Sequence, residues 1–376
     1  MTSWLLASGD FVPIGGMDTA NHALASYLAR SREGDVHLVA HRVSSDLSAL
    51  PSIHVHRVPR PFGLHSLGEP LLTRVAATFA REVRGVGGHV VANGGNVDAG
   101  DISWVHYVHA AYEPSAAGAL NSAIVATRHR RYVAAERRAL TRARVIVCNS
   151  ARTVDDVVNC VGVDPTRVRR VYYGIDPVRF RPQRDAAGAK AALGYDAASP
   201  VVLFVGALGD RRKGFDTLFS AWCDLCGIPG WDAQLLVAGS GAELGAWQAR
   251  AALRGGVANR VRFLGYRTDV PALMAAADLI VHPARYEAYG LGVHEALCCG
   301  VPALVSASAG VAERFPDDLR PLLLQEVESV AELTSRLRTW RDGMDSFRAR
   351  AGAFSAVLGA RTWDDMSRDI VAMAGS

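Results

Sequence analysis

Short β-branched or leucine-rich runs alternate with helix-length stretches along the whole chain, and the alternation restarts once, near residue 200. Strands separated by helices pair in parallel, because each helical crossover returns the chain to the same end of the sheet. The first series predicts strands at Trp4–Ala7, Val36–Ala40, Ile53–Val58, His89–Ala92, Trp104–Val108, Val145–Cys148 and Val168–Tyr172. A helix at Met17–Ala29 puts Ala20, Leu24 and Leu28 on one face. The second series predicts strands at Val201–Val205, Gln234–Ala238, Val261–Leu264, Leu279–His282 and Ala303–Val305. Helices are expected at Phe215–Cys226, Ala242–Ala252, Val270–Ala277 and Gly292–Cys299, with a helical tail from Ser329. Between the series, Tyr173–Pro182 carries turn residues and two prolines, which makes it the best boundary in the chain. The expected fold class is α/β, with two Rossmann-like domains whose parallel sheets face one another across a cleft. Their expected bounds are residues 1–176 and 177–359, with a last helix at about 360–376 crossing back onto the first.

Composition narrows the function. Hydrophobic residues make up 49% and charged residues 21%, too apolar for a disordered chain. No apolar run reaches the roughly 18–20 residues of a membrane-spanning helix. The opening Met1–Ala7 lacks a basic region and a cleavage site, so it reads as a first strand, and the expected location is cytoplasmic. The net charge of +4 implies no nucleic-acid partner. Six cysteines form no disulfide framework, and Cys223–Cys226 has no second pair with which to complete a zinc site, so structural thiols are expected.

Four segments carry chemistry. Glu287-Ala-Tyr-Gly-Leu-Gly-Val-His-Glu295 follows a predicted strand and opens a helix, at the sheet edge where α/β folds bind ligands. Gly290 and Gly292 allow close backbone approach, and the helix start offers free N–H donors. Glu287 and Glu295 can each accept two hydrogen bonds from a diol, as a sugar or ribose presents. An acidic first turn stabilised by the helix dipole is the plainer reading of this stretch. Val205-Gly-Ala-Leu-Gly-Asp-Arg-Arg-Lys-Gly214 repeats the pattern, with Arg211, Arg212 and Lys213 adding positive charge where an anion is already favoured. A diphosphate suits it, a solvated basic turn is the alternative, and the spacing is not that of a P-loop. Gly15 and Gly16, before the first helix, either approach a ligand or make a plain turn; Asp18 is either a helix-start charge or a substrate contact. His109 falls at the predicted C-terminal end of the Trp104–Val108 strand, where cleft residues sit.

These pieces, in this order, resemble family 4 of the retaining glycosyltransferases, which have the GT-B fold, and the resemblance covers nearly the whole chain. Asn149-Ser150, Tyr173-Gly-Ile-Asp176 with Phe180-Arg-Pro182, Phe263-Leu-Gly265, Ala276-Ala-Asp278 and the closing Thr362-Trp-Asp-Asp-Met also match its pattern. The most specific element is Glu287 to Glu295. The resemblance implies that Lys213 and Arg212 neutralise a donor diphosphate. Glu287 would hold the donor sugar, with backbone groups of Tyr289, Gly290 and Leu291 along its hydroxyls, and Glu295 would bind the ribose. Arg267 and Asp269 would cradle the base, Gly16 would let the N-terminal domain close over the diphosphate, and His109, with Asp18 nearby, would face the reacting sugar and the acceptor.

Two positions depart from the family pattern. Ala207 stands where an arginine usually follows the glycine of the diphosphate loop, with Arg211 or Arg212 available to compensate. Ala288-Tyr289 stands where the family often has Gly-Phe, and the added hydroxyl is a possible ligand contact. The implied reaction moves a sugar from a UDP- or GDP-linked donor to an acceptor hydroxyl of a glycan, a lipid-linked glycan or a small molecule, with retention. No DxD motif calls for a metal, and no cofactor is expected. The alternatives are a non-catalytic glycosyltransferase-like subunit, a GT-B epimerase or phosphorylase, and a dinucleotide oxidoreductase. Residues 121–150 carry seven arginines against one glutamate. Arg128, Arg131, Arg138 and Arg142 lie on one helical face and Arg130, Arg137 and Arg144 opposite, so a solvated helix competes with peripheral membrane contact. Acceptor selection is expected from the loops Arg57–Pro70 and Ala110–Asn121.

Overall fold

The computed structural model describes residues 2–31, 34–98, 100–114, 119–183 and 185–375. The chain forms two units, Met1–Gly174 with Arg361–Ser376, and Ile175–Ala360.

The first unit holds a seven-stranded parallel sheet: β1 Trp4–Ala7, β2 Val36–Ala40, β3 Ile53–Arg57, β4 His89–Asn93, β5 Ile102–Val105, β6 Val145–Cys148 and β7 Val168–Arg170. Strand order is β3-β2-β1-β4-β5-β6-β7. β1, β5 and β6 are buried along their whole length, as strands covered on both faces must be, which is why they read as apolar runs. The order reverses between β1 and β4, and the loop after β1 leads into the helix Gly16–Ser31 at that switch point. The closing helix Trp363–Ala372 belongs to this unit. Thr362 and Asp365 form its capping box, and Arg361 Nε donates to the Tyr172 carbonyl at 3.0 Å. A Cβ on Gly174 would lie 2.1 Å from the Thr362 carbonyl oxygen, so only glycine allows that return of the chain.

The second unit holds a six-stranded parallel sheet: β8 Val201–Val205, β9 Gln234–Ala238, β10 Val261–Gly265, β11 Leu279–His282, β12 Ala303–Ser306 and β13 Leu323–Leu324. Its order, β10-β9-β8-β11-β12-β13, reverses between β8 and β11. Phe204, Leu218, Trp222, Leu236 and Trp340 fill one continuous core. Beside it lies a buried ion pair, Lys190 Nζ to Asp278 Oδ2 at 2.8 Å, which Arg348 completes from the surface at 3.1 Å.

Several expectations shift. β5 begins at Ile102 and ends at Val105, in register with the end of β6, so His109 lies four residues beyond the strand rather than at its end. The chain leaves the sheet there because the His106 imidazole turns inward to bond the Tyr173 hydroxyl. The segment Arg57–Pro70 is not one loop. It holds a short turn, Pro61–Gly63, and then the helix His65–Gly85, which contains Pro70. Within Ala110–Asn121, residues 115–118 lie outside the described residues, and the helix Ala119–Arg142 begins directly after them. Arg144 lies past that helix and donates to the Ala374 carbonyl at 2.8 Å, so it does not belong to a helical face.

Candidate active site

In the second unit, backbone packing draws together the loops that leave β8, β9 and β11. Gly214 adopts φ 69°, and a Cβ there would lie 1.9 Å from the Pro283 carbonyl oxygen; a Cβ on Gly239 would lie 1.8 Å from that of Gly206. Arg285 ties the same loops through its charge. Its backbone N–H donates to the Arg212 carbonyl at 2.8 Å, and its guanidinium reaches the Arg211 carbonyl, Asp216 and Glu328. This grip holds Arg211-Arg212-Lys213 at the mouth of the second sheet.

Lys213 Nζ lies 2.7 Å from Glu287 Oε2, and His282 Nε2 lies 2.9 Å from the same oxygen. Burial alone would raise the Glu287 carboxyl; Lys213, His282 and Arg212 together outweigh it and hold the group well below the usual range. Burial, with Lys213 and Arg212 adding to it, lowers the His282 imidazole. The site is thus an ionised glutamate held by a lysine and a neutral histidine. Arg212 pairs with Asp210 at 3.1 Å and donates to the Tyr286 carbonyl at 3.4 Å, while Arg211 pairs with Asp216 at 3.3 Å. Ala207 is exposed.

The Glu287 loop is pinned from behind: the N–H groups of Gly310 and Val311 donate to the Glu287 and Tyr289 carbonyls at 3.1 and 2.7 Å. Gly290 (φ 105°) caps the helix Leu291–Cys298, so the free N–H groups of its first turn open beside Glu287. The Tyr289 hydroxyl has a partner within the protein. It lies 2.7 Å from His294 Nδ1, with both side chains buried. Glu295 lies one turn into the helix, where burial pushes its carboxyl up to about 8 against the pull of Arg179. At neutral pH it is therefore protonated, and its first hydrogen bond to a diol is one it donates. Arg267 and Asp269 form an exposed bidentate pair with each other, at 2.7 and 2.5 Å.

The remaining residues belong to the first unit. Gly15 (φ 79°) precedes the helix, and Gly16 is its first residue. Asp18 lies in the first turn; burial, reinforced by Asp10, raises its carboxyl to about 7 despite Arg42 and Arg60. Its Oδ1 is buried with no partner among the described residues. His109 opens a turn, His109–Ala111, whose first two N–H groups donate to Glu136 at 2.8 and 3.0 Å. Tyr107 and Tyr132 flank its ring, with centroids 4.9 and 5.1 Å away.

The structure thus joins Arg211, Arg212, Lys213 and Glu287 into one cluster and sets Gly290, Leu291 and Glu295 on the adjoining helix start. Sequence reading missed His282, Glu136, Arg285 and His294. Two left a trace: His282 is a polar end to an apolar strand, and Glu136 is the lone acid in the arginine-rich stretch.

Comparison with known proteins gives these features a family. Residues 14–179 match the family model Glycosyltransferase Family 4, and residues 199–340 match Glycosyl transferases group 1. The D-inositol 3-phosphate glycosyltransferase of Mycobacterium sp. (strain KMS) is 33% identical over 195 residues, which is 50% of this chain and 43% of that protein. The same enzyme of Salinispora tropica is 30% identical over 268 residues, 65% of this chain and 53% of that protein. The chain thus spans about half the length of the curated relatives it matches. Among solved structures, WaaG, a glycosyltransferase involved in lipopolysaccharide biosynthesis, superposes with a TM-score of 0.80 at 22% identity, covering 98% of this chain and 99% of that one. Anabaena Alr3699/HepE in complex with UDP and glucose gives 0.75 at 20% identity, covering both chains fully. At these identities the likeness shows the fold, GT-B. With every strand of the two sheets but β1, and the Glu287–Glu295 element, inside the two family matches, the chain belongs to the family 4 glycosyltransferases (glycosyl transferases group 1).

Proposed function

We propose that the protein is a retaining glycosyltransferase that moves a sugar from a nucleoside diphosphate sugar to an acceptor hydroxyl. The observation that carries this reading is the Lys213–Glu287 pair at the mouth of the second sheet. It supplies a cation for the diphosphate and an ionised carboxylate for sugar hydroxyls. Lys213 and Arg212, with the N–H groups of Leu291 and its neighbours, would stabilise the charge that develops on the leaving phosphate. Glu287 and the Gly290 backbone would orient the sugar, Glu295 would take the ribose, and Arg267 with Asp269 would border the base. In the first unit, Gly15 and Gly16 would admit the diphosphate, and Asp18 and His109 would meet the acceptor. The bond from the anomeric carbon to the phosphate oxygen breaks as a bond to the acceptor oxygen forms on the same face. The acceptor proton passes to the departing phosphate. Lys213, Arg212 and the helix N–H groups carry the leaving-group charge without a metal, so turnover should survive EDTA.

The UDP and glucose bound to HepE, and the acceptor in the names of the curated relatives, choose the first substrates to try: UDP- and GDP-hexoses with a phosphorylated polyol. Release of nucleoside diphosphate and the anomeric proton coupling of the product test the reading. A product with the donor's own anomeric configuration supports it, and an inverted product overturns it. Nucleotide binding without turnover on any acceptor would favour the non-catalytic subunit, for which Ala207 is the argument.

Membrane contact is a further part of the proposal. Among the described residues, no helix is long and apolar enough to cross a membrane. Phe62, Leu64 and Leu67 nevertheless stand 92%, 51% and 45% exposed at the start of the helix His65–Gly85, whose Glu69 feels the charges of Arg131 and Arg138. Liposomes with anionic lipid should retain the protein and release Arg131→Glu/Arg138→Glu; no retention of the parent protein contradicts this.

A further inference from the structure

We infer that His282 is a positioning residue of the donor site, holding Glu287 by Oε2 so that Lys213 can leave that carboxylate for the donor diphosphate. The inference rests on the reading of Lys213 and Glu287 as donor-site residues given above.

His282 is the last residue of β11 and only 7% exposed, in a strand otherwise built of Leu279, Ile280 and Val281. A buried imidazole in such a strand costs free energy unless a partner satisfies it. That partner is Glu287 Oε2, which also takes the lysine, while Oε1 has no partner among the described residues. An ionised carboxylate only accepts, so the proton lies on Nε2 and His282 donates. Both protein donors therefore sit on one oxygen, and the other is left for a sugar hydroxyl.

The arrangement matters when the donor arrives. A diphosphate competes with Glu287 for Lys213, and a lysine leaving a buried carboxylate ordinarily strands an uncompensated charge. Here the His282 N–H stays on Oε2 after the lysine swings away, and sugar hydroxyls fill Oε1. Without His282, Lys213 is the carboxylate's one remaining side-chain partner among the described residues, and the diphosphate must strip it bare. His282 thus governs how readily Lys213 is released, while touching neither phosphate nor sugar.

A thermodynamic cycle on nucleoside diphosphate binding tests this, with UDP and GDP as probes in calorimetry and the full chain throughout. His282→Leu should weaken binding by about ten- to a hundredfold, the worth of one hydrogen bond to a charged group. His282→Gln, which keeps an N–H donor at similar reach, should restore most of it. Glu287→Gln frees Lys213 and should bind the diphosphate at least as well as the parent, and in that background His282→Leu should have no effect. A merely structural role would not show that suppression. If His282→Leu does not fold, His282→Asn, too short to reach Oε2, takes its place with the same expectation. Parental affinity in the folded variant, or a loss that persists beside Glu287→Gln, overturns the inference alone. A parent that binds neither nucleotide overturns the donor-site reading and this inference with it.

Discussion

Glu136 offers a test of how the first unit holds His109. The residue is 1% exposed, and its two oxygens accept the N–H groups of His109 and Ala110. Those bonds favour the ionised form, but burial outweighs them, with Asp156 adding to it, and the carboxyl rises from 4.5 to about 7. One pKa unit is worth about 1.4 kcal/mol, so the shift sets a ceiling of about 3 kcal/mol. The sign follows from proton linkage. The folded protein holds this proton more tightly than the unfolded chain, so the group's contribution is fully present below pH 4.5 and lost as pH rises through about 7. Glu136→Gln removes the titration while keeping the shape of the protonated acid. Its stability should match the parent near pH 4 and exceed it by up to about 3 kcal/mol near pH 8. Urea unfolding at several pH values, followed by hydrogen exchange in peptides of β4–β6, measures the difference. Asp18 and Glu295 titrate in the same range but cancel between parent and variant. The neutral amide can accept from only one of the two N–H groups, so exchange at His109 and Ala110 should quicken at pH 8. A stability difference that does not vary with pH would refute the reasoning, since it would mean that Glu136 ionises in the fold at no cost.

Two further outcomes follow from the second unit. Tyr289→Phe removes the hydroxyl that meets His294 Nδ1 and should cost about 1–2 kcal/mol in a thermal or urea melt, because a buried nitrogen loses its partner. Donor affinity should be unchanged; a selective loss of affinity would return the hydroxyl to the ligand. Glu295 must ionise to accept both hydroxyls of a ribose, so UDP or GDP binding should tighten as pH rises through about 8. Glu295→Gln should flatten that profile, and a profile unchanged in the variant would remove Glu295 from the ribose site.

Much of the fold was legible because parallel strands covered on both faces announce themselves as short apolar runs: β1, β2, β6, β8, β9 and β11 have the predicted limits. The errors share a cause. β5 was displaced because Val108 looks like strand, yet the His106–Tyr173 contact that ends the strand joins residues far apart in sequence. Pro70 read as a loop residue because no local rule shows that the chain around it would stay helical. At the candidate site, glycine-and-charge loops next to strand ends marked Lys213, Glu287 and Glu295. What they could not show is which partner each side chain takes. The same spacing would have left the Tyr289 hydroxyl facing a ligand, or Lys213 free in solvent. His282 and Glu136 were invisible as site residues because their meaning lies in one hydrogen-bonded neighbour, brought close by packing.

The central claim is that the second unit binds a nucleoside diphosphate at Lys213 and Glu295. The most direct measurement is calorimetric titration of the parent, Lys213→Ala and Glu295→Ala with UDP, GDP, ADP and TDP. Micromolar binding of one nucleotide by the parent, lost in both variants, is the expected result. Binding that survives both substitutions, or no binding by the parent, would contradict the account.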